Sequence, residues 1–306
     1  MSEETNKKEH GEKHLEKLTV KELREIAAEE PRIGVFVCHC GVNIAGVIDV
    51  AQVSEFALTL PGVVYADHYT FTCATDSLSA IRTHVFETKT FGMDRLLTAL
   101  ADNFKSEDVL HHTLKSKTPC FGNDDARADE LMQRVYRSLF AAIDGRPNTK
   151  GTVYHLNMLS TTCHVYFGKM LGATPNGRLA GTPESDGTSP SHGADRNGPT
   201  AVIHSLSKMD QVKSGGTLLN MRFLPSVLQS DQDLDKLAQL IRTYFRMNGH
   251  HIQFNVVDTD TLRQAQAEPD DYRDLLVRVA GYSDYFVDLD PHHQEEIISR
   301  TAQESH

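Results

Sequence analysis

Apolar positions recur along this chain with two different periods. In "DLDKLAQLIRTYFRMNG" they fall at Leu234, Leu237, Ala238, Ile241, Tyr244 and Phe245, one face of a helix that Gly249 closes. The next run, "HHIQFNVVD", alternates, and Ile252, Phe254 and Val256 predict a strand with one apolar side. Farther upstream, "RIGVFVCHCGVNIAG" and "GVVYADHYTFTC" are β-rich runs that deliver Cys38, Cys40 and Cys73 at their carboxyl ends, with amphipathic "DVAQVSEFALTL" between them. In open α/β units that is where ligands collect. Residues 1–30 are charged throughout; Thr19-Val20-Lys21-Glu22 has the form of a capping box opening a short helix that Pro31 stops, so this segment reads as a tether or lid. From about residue 82 helix and strand signals alternate, broken by "ATPNGRLAG" and "SHGADRNGPTA", whose turn chemistry suits binding loops. The fold class is α/β.

One stretch breaks its own pattern. "LLVRVAGYSDYF", residues 275–286, reads as a hydrophobic strand with Gly281 set into its middle. Glycine weakens a strand, so a bulge or a close backbone approach is the local expectation.

Composition narrows the function classes. With 306 residues, 39% hydrophobic and 24% charged, the chain has material for one large domain or two ordinary ones. A net charge of −11 offers no basic stripe, which argues against nucleic acid and anionic membranes as partners. The first 30 residues hold no apolar core of signal-peptide length and no window reaches the length of a membrane span, so a cytoplasmic location is expected. Five cysteines, an odd number, read as thiols, metal ligands or reactive groups rather than a disulfide framework.

Several residues invite chemistry and have plainer explanations. Cys163 stands beside His164 in "STTCHVYFG", but neighbours in a strand face opposite ways, and a buried strand thiol is expected. The same geometry separates His250 from His251. His293 and Glu296 lie one turn apart in "PHHQEEIISR", which reads as an exposed terminal helix begun by Pro291. Neither glycine-rich word continues into the Gly-Lys-Ser/Thr of a phosphate loop.

Four long words, "ATPNGRLAGTPESDGTSPSHGADRNGPTAVIHSLSKMD", "GGTLLNMRFLPSVL", "GHHIQFNVVD" and "LLVRVAGYSDYF", together resemble the C-terminal part of the glycyl radical enzymes. They are most similar to the pyruvate formate-lyase-like branch, with its glycerol and diol dehydratases, choline trimethylamine-lyase and isethionate sulfite-lyase. The likeness covers residues 82–306 and implies an incomplete glycyl-radical-enzyme-type α/β barrel behind a small N-terminal α/β fragment. It also implies that Gly281 stores the radical, in a loop motif of Arg278, Val279, Ala280, Gly281, Tyr282 and Ser283. A radical on a glycine α-carbon is spread between an electron-donating nitrogen and an electron-withdrawing carbonyl. That needs a flat backbone, which a residue without Cβ reaches most freely. Leu276, Val277, Val279 and Phe286 are expected to bury the centre from water and oxygen.

The same resemblance implies a lyase or a formate acetyltransferase-like acyltransferase that breaks a C–C, C–O, C–N or C–S bond of a small substrate. A radical S-adenosylmethionine activating enzyme would be its partner, and a homodimer a further expectation. Turnover in the family uses a thiyl on a cysteine followed two residues later by glutamate. Cys38, Cys40, Cys73, Cys120 and Cys163 are all followed by something else, so this chain is expected to store the radical without performing the turnover.

Residues 31–80 carry a second resemblance. "PRIGVFVCHCGVNIAGVIDV" through "LPGVVYADHYTFTCATDS" is similar to the N-terminal segment of the flavin-bearing component of heterodisulfide reductase, an iron-sulfur flavoprotein of anaerobes. It implies Cys38, Cys40 and Cys73 as iron-sulfur ligands, although a four-iron cluster normally takes four thiolates. The glycine-rich dinucleotide fingerprint of that reductase's flavin-binding body is missing. The alternative function is therefore an iron-sulfur electron-transfer fragment of a heterodisulfide reductase-like protein. The two likenesses meet at "CATDSLSAIRTHVF", a junction that also suits a chimeric gene product without turnover.

Overall fold

The computed structural model describes residues 70–148 and 150–304, and farther upstream the backbone of two short strands. These strands, β1 (Ile33–Phe36) and β2 (Val63–Asp67), fall within the two β-rich runs and pair in parallel. Cys38, Cys40 and the charged segment 1–30 lie outside the described residues.

The second run does not stay extended to its cysteine. β2 ends at Asp67, and Phe71–Ala80 is helix α1, so Cys73 lies in a helix and not at a strand end. Eight of the ten residues of α1 are buried, among them Thr72, Thr75, Asp76 and Ser79. Burial with long-range partners on several sides overrides the extended preference of "TFTC". The helix runs on through wider turns over Ile81–Glu87. Its end packs with α2 (Met93–Ala101) and α3 (Asp108–Lys117) around Leu96, Phe104, Leu110 and Leu114.

The larger core lies on one face of a parallel three-stranded sheet. β3 (Leu219–Phe223) is central, with β4 (Ile252–Val256) on one side and β7 (Ala302–Gln303) on the other. Leu219, Met221 and Phe223, joined by Ile252 and Phe254, pack against Met132 and Tyr136 of α4 (Ala126–Ile143), Leu206 of α6 (Gly198–Ser207) and Tyr244 of α7 (Asp231–Arg246). Between those apolar positions stand Asn220, Arg222, Gln253 and Asn255, all buried. Parallel strands buried on both faces usually read as continuous apolar runs; here the reverse face is built of amides and a guanidinium.

Helix α7 begins with a reciprocal capping box between Ser230 and Asp233. Its apolar stripe is narrower than the sequence suggests: Leu237, Leu240 and Tyr244 meet the core, while Leu234 and Phe245 are exposed. Asn248, at φ +64°, makes the left-handed turn that ends the helix. Gly249 has a different reason to be glycine, because a Cβ there would collide with the Tyr244 ring.

Residues 275–286 form a hairpin rather than one interrupted strand. β5 (Leu276–Arg278) and β6 (Ser283–Tyr285) pair antiparallel, with Leu276 opposite Tyr285 and Arg278 opposite Ser283. The hairpin rests on α8 (Thr259–Ala267) and α9 (Pro291–Ser299) through Val277, Val279, Leu262, Phe286, Ile297 and Ile298. Among the described residues, no helix is long and apolar enough to cross a membrane.

Candidate functional site

Gly281 sits in the turn of that hairpin at φ +90°, a backbone conformation that residues with a Cβ rarely adopt. The turn is closed by the Val279 N–H donating to the carbonyl of Tyr282 at 2.9 Å. Val277, Val279, Ala280 and Phe286 are buried beneath it, as the sequence predicts for three of them. Leu276 is not; it is 58% exposed, and Gly281 itself faces outward. The apolar side chains thus anchor the hairpin from below without covering its tip.

The polar reverse face of the sheet holds the hairpin's backbone. Asn255 brackets Arg278, its Oδ1 accepting the Arg278 N–H at 2.7 Å and its Nδ2 donating to the Arg278 carbonyl at 2.9 Å. Asn220 Nδ2 donates to the Val279 carbonyl at 3.1 Å. Gln253 Oε1 accepts from the Gly281 N–H at 3.3 Å and from Arg278 Nε and Nη2 at 3.1 and 2.7 Å. Arg278 Nη1 reaches on to Ser283 Oγ at 3.0 Å, tying the two strands across the turn. Side-chain amides therefore do for this loop what neighbouring strands do for an ordinary one.

A buried ion pair supplies the last contacts. Arg300 donates to the carbonyls of Arg278 and Val279 at 3.1 and 2.7 Å and forks onto Glu296. Glu296 is fully buried, which corrects the expectation of an exposed terminal helix; His293 is half-buried and pairs with Asp290 at the helix start. Burial alone would raise the Glu296 carboxyl, but the Arg300 charge, with His164 and His192, holds it well below the usual range. His192 Nε2 lies 3.2 Å and His164 Nε2 3.4 Å from Glu296 Oε1.

Asp186, His192 and Glu296 bring ligand atoms within 4.8 Å of one another. Both oxygens of Glu296 are already held by a guanidinium, so a cation there would meet a positive charge of equal claim. The adjoining cavity, between Asp186, His192, Asn220, Arg300 and Thr301, measures about 20 Å³, room for a single water and not for a substrate.

The remaining sequence candidates fall elsewhere. Cys163 opens helix α5 (Cys163–Met170) and is part-exposed, not a buried strand thiol. His164, next to it, is the buried member of that pair. In "TPNGRLAG" Arg178 points inward and donates to the carbonyls of Leu179, Thr182 and Gly172, stapling its own loop.

Cys73 is buried and hydrogen-bonded within the described residues, while Cys38 and Cys40, the other two candidate iron-sulfur ligands, lie outside them. The Cys73 Sγ accepts from the Ser185 N–H at 3.3 Å and from Ser191 Oγ at 3.7 Å. Burial and the nearby Glu184 push the thiol above its ordinary range. Among the described residues it joins no group of three metal-ligating side chains.

One of two family matches includes the hairpin. Residues 184–287 match the family described as Glycine radical, and residues 54–168 match Pyruvate formate lyase-like. The chain carries a glycine radical domain. The second match reaches into the stretch 31–80 that resembles the reductase, so Cys73 lies within it. Trans-4-hydroxy-L-proline dehydratase of Clostridioides difficile is 54% identical over 229 residues, covering 75% of this chain and 29% of the relative. Isethionate sulfite-lyase of Bilophila wadsworthia is 44% identical over 232 residues, 74% of this chain and 28% of the relative. Among solved structures, hydroxyproline dehydratase from Clostridioides difficile, with trans-4-hydroxy-L-proline bound, superposes with TM-score 0.75 at 51% identity. It shares 79% of this chain and 31% of that one. The B12-independent glycerol dehydratase of Clostridium butyricum gives 0.73 at 39% identity, over 79% and 31%. The chain thus spans under a third of the length of these relatives.

Around Gly281, sequence reasoning found the glycine and its neighbours and misread Glu296 as exposed, but missed Asn220, Gln253, Asn255, His192 and Arg300. A signal was present for the first three. Amides alternate with apolar residues in both "LNMRF" and "IQFNV", and such a polar face, once both sides of the strand are buried, has polar work to do.

Proposed function

We propose that Gly281 is the residue that stores a glycyl radical for thiyl-mediated cleavage of a bond in a small hydroxylated or acyl substrate. The observation that carries this reading is a positive-φ glycine at the turn of a hairpin whose backbone is held by Asn220, Gln253, Asn255 and Arg300. The dehydratase and sulfite-lyase names of the relatives support loss of a β-substituent as the reaction class.

The partner is a radical S-adenosylmethionine activating enzyme. One electron from a reductant cleaves S-adenosylmethionine to methionine and a 5′-deoxyadenosyl radical. That radical takes one hydrogen atom from the Gly281 α-carbon, leaving 5′-deoxyadenosine and a glycyl centre with one hydrogen and one unpaired electron. The parallel sheet with β4 at one edge is read as part of an α/β barrel that the longer relatives complete. No described cysteine is followed two residues on by glutamate, so turnover needs a thiyl that these residues do not supply.

Anaerobic incubation with a matching activase, reductant and S-adenosylmethionine tests the assignment. The expected electron paramagnetic resonance signal is a doublet, split by the remaining α-hydrogen. Oxygen should then cut the chain and release a C-terminal peptide beginning near Tyr282. Gly281→Ala should lose both effects and Cys163→Ser neither; a doublet surviving in Gly281→Ala overturns the reading.

A further inference from the structure

The hydrogen bonding around Gly281 is uneven. Its N–H has a side-chain acceptor, Gln253 Oε1, at 3.3 Å, and the same oxygen takes two shorter bonds from the Arg278 guanidinium. Gln253 is itself oriented from the other end, its Nε2 donating to Asn220 Oδ1, while Asn220 Nδ2 donates to Asp186 and to the Val279 carbonyl. Both amides are buried. Their oxygens and nitrogens are assigned by their partners, since Gly281 and Arg278 offer only donors to the atom that faces them.

A tetrahedral glycine at φ +90° is not in the geometry that its radical prefers. Spreading the unpaired electron onto the amide nitrogen requires the α-carbon and the preceding peptide to become coplanar, and φ must rotate to achieve it. A backbone acceptor locked in a ladder would lose its donor during that rotation. A side-chain oxygen fixed outside the ladder stays beside the turning N–H, and a bond at 3.3 Å, long for N–H···O, starts with slack that the rotation can take up. An N–H that stays bonded to a carbonyl oxygen also leaves its nitrogen the better electron donor.

We propose that Gln253 is a positioning residue for the glycyl radical, keeping the Gly281 amide hydrogen-bonded as its α-carbon passes from tetrahedral to planar. The proposal rests on the assignment of Gly281 above. The guanidinium of Arg278 and the amide of Asn220 hold the Gln253 side chain in place, and Gln253 in turn serves Gly281.

Gln253→Met keeps the volume and removes the acceptor; Gln253→Glu keeps an acceptor oxygen for Gly281 and Arg278 but gives up the Nε2 donation to Asn220. In the full chain, after activation, the Met variant should show a doublet of altered splitting and an anaerobic radical lifetime shortened on the order of five-fold, the effect of one net hydrogen bond. The Glu variant should return both part of the way toward wild type. Before activation, amide exchange at Gly281, followed by nuclear magnetic resonance on ¹⁵N-glycine-labelled chain, should be faster in the Met variant than in wild type or the Glu variant. This second measurement needs no radical and no activase. A Gly281-dependent doublet with wild-type splitting and lifetime in Gln253→Met overturns the proposal and leaves the radical assignment standing. So does amide exchange that does not change. A doublet that persists in Gly281→Ala overturns both.

Discussion

The guanidinium of Arg300 and the carboxylate of Glu296 meet in a two-bond fork, Nε to Oε1 and Nη2 to Oε2, each at 2.8 Å and both buried. Four residues apart at the end of α9, they form a unit whose free edge grips the carbonyls of Arg278 and Val279. A fork of this kind fixes direction as well as distance, so it orients the turn that carries Gly281.

Breaking that pair should be costly. Glu296→Ala leaves a guanidinium buried without its counter-charge, and a loss of about 3–5 kcal/mol is expected, read from urea unfolding. Arg300→Lys should fall between the alanine variant and wild type, because a point charge cannot reproduce the fork. A Glu296→Ala chain as stable as wild type would remove the pair from the account of the hairpin.

Gly281→Ala should fold. Leu218 Cδ1, at 3.4 Å, is the nearest atom a Cβ would meet, an ordinary contact, so the penalty is backbone strain of about 1–3 kcal/mol. Gly168→Ala should lose more, since a Cβ there would collide with the Thr182 carbonyl oxygen and lie 2.6 Å from the Pro183 Cα. Thermal melts of the two variants set side by side check the order. With the fold kept, a missing doublet in Gly281→Ala reports chemistry.

Stability should depend on pH through Asp76. Burial raises its carboxyl from 3.8 to about 7, although the Phe121 N–H donates to it at 2.8 Å. Between those values the folded chain binds a proton that the unfolded chain does not, so this group's contribution falls as pH rises from about 4 to about 7. Asp195, raised to about 6 mainly by burial, acts in the same sense. Glu296, held low, acts in the opposite sense and loses its contribution in acid. Asp76→Asn keeps an acceptor for Phe121 and should flatten the decline between pH 4 and 7 in denaturant titrations. An unchanged slope would contradict the raised carboxyl.

Thiol chemistry should follow burial. Of the three described cysteines, Cys163 is part-exposed and should alkylate first, with Cys73 and Cys120 reacting only on unfolding, as peptide mass spectrometry would show. Burial pushes the thiols of both slow residues up. Cys73→Ser should leave the iron and acid-labile sulfide content of anaerobically purified chain unchanged. Loss of a stoichiometric cluster in that variant would restore the iron-sulfur reading.

What the sequence by itself determined is local. The helical spacing of Leu237, Ile241 and Tyr244 and the alternation of Ile252 and Phe254 are written in residues four or fewer apart, because helix turn and strand pleat act over that distance. The resemblance carried by the Arg-Val-Ala-Gly-Tyr word singled out Gly281, whereas a glycine amid apolar residues read locally only as a bulge or a close backbone approach. Only the tertiary structure decided what holds it. Gln253 lies 28 residues from Gly281, Asn220 lies 59 from Val279, and His192 lies 104 from Glu296. Helical spacing made Glu296 look solvent-facing, and strand propensity made Cys73 look like a strand end; in both cases partners far along the chain bury the residue. A buried carboxylate or amide is stable only where distant groups complete its hydrogen bonds, and no periodicity records which groups those are.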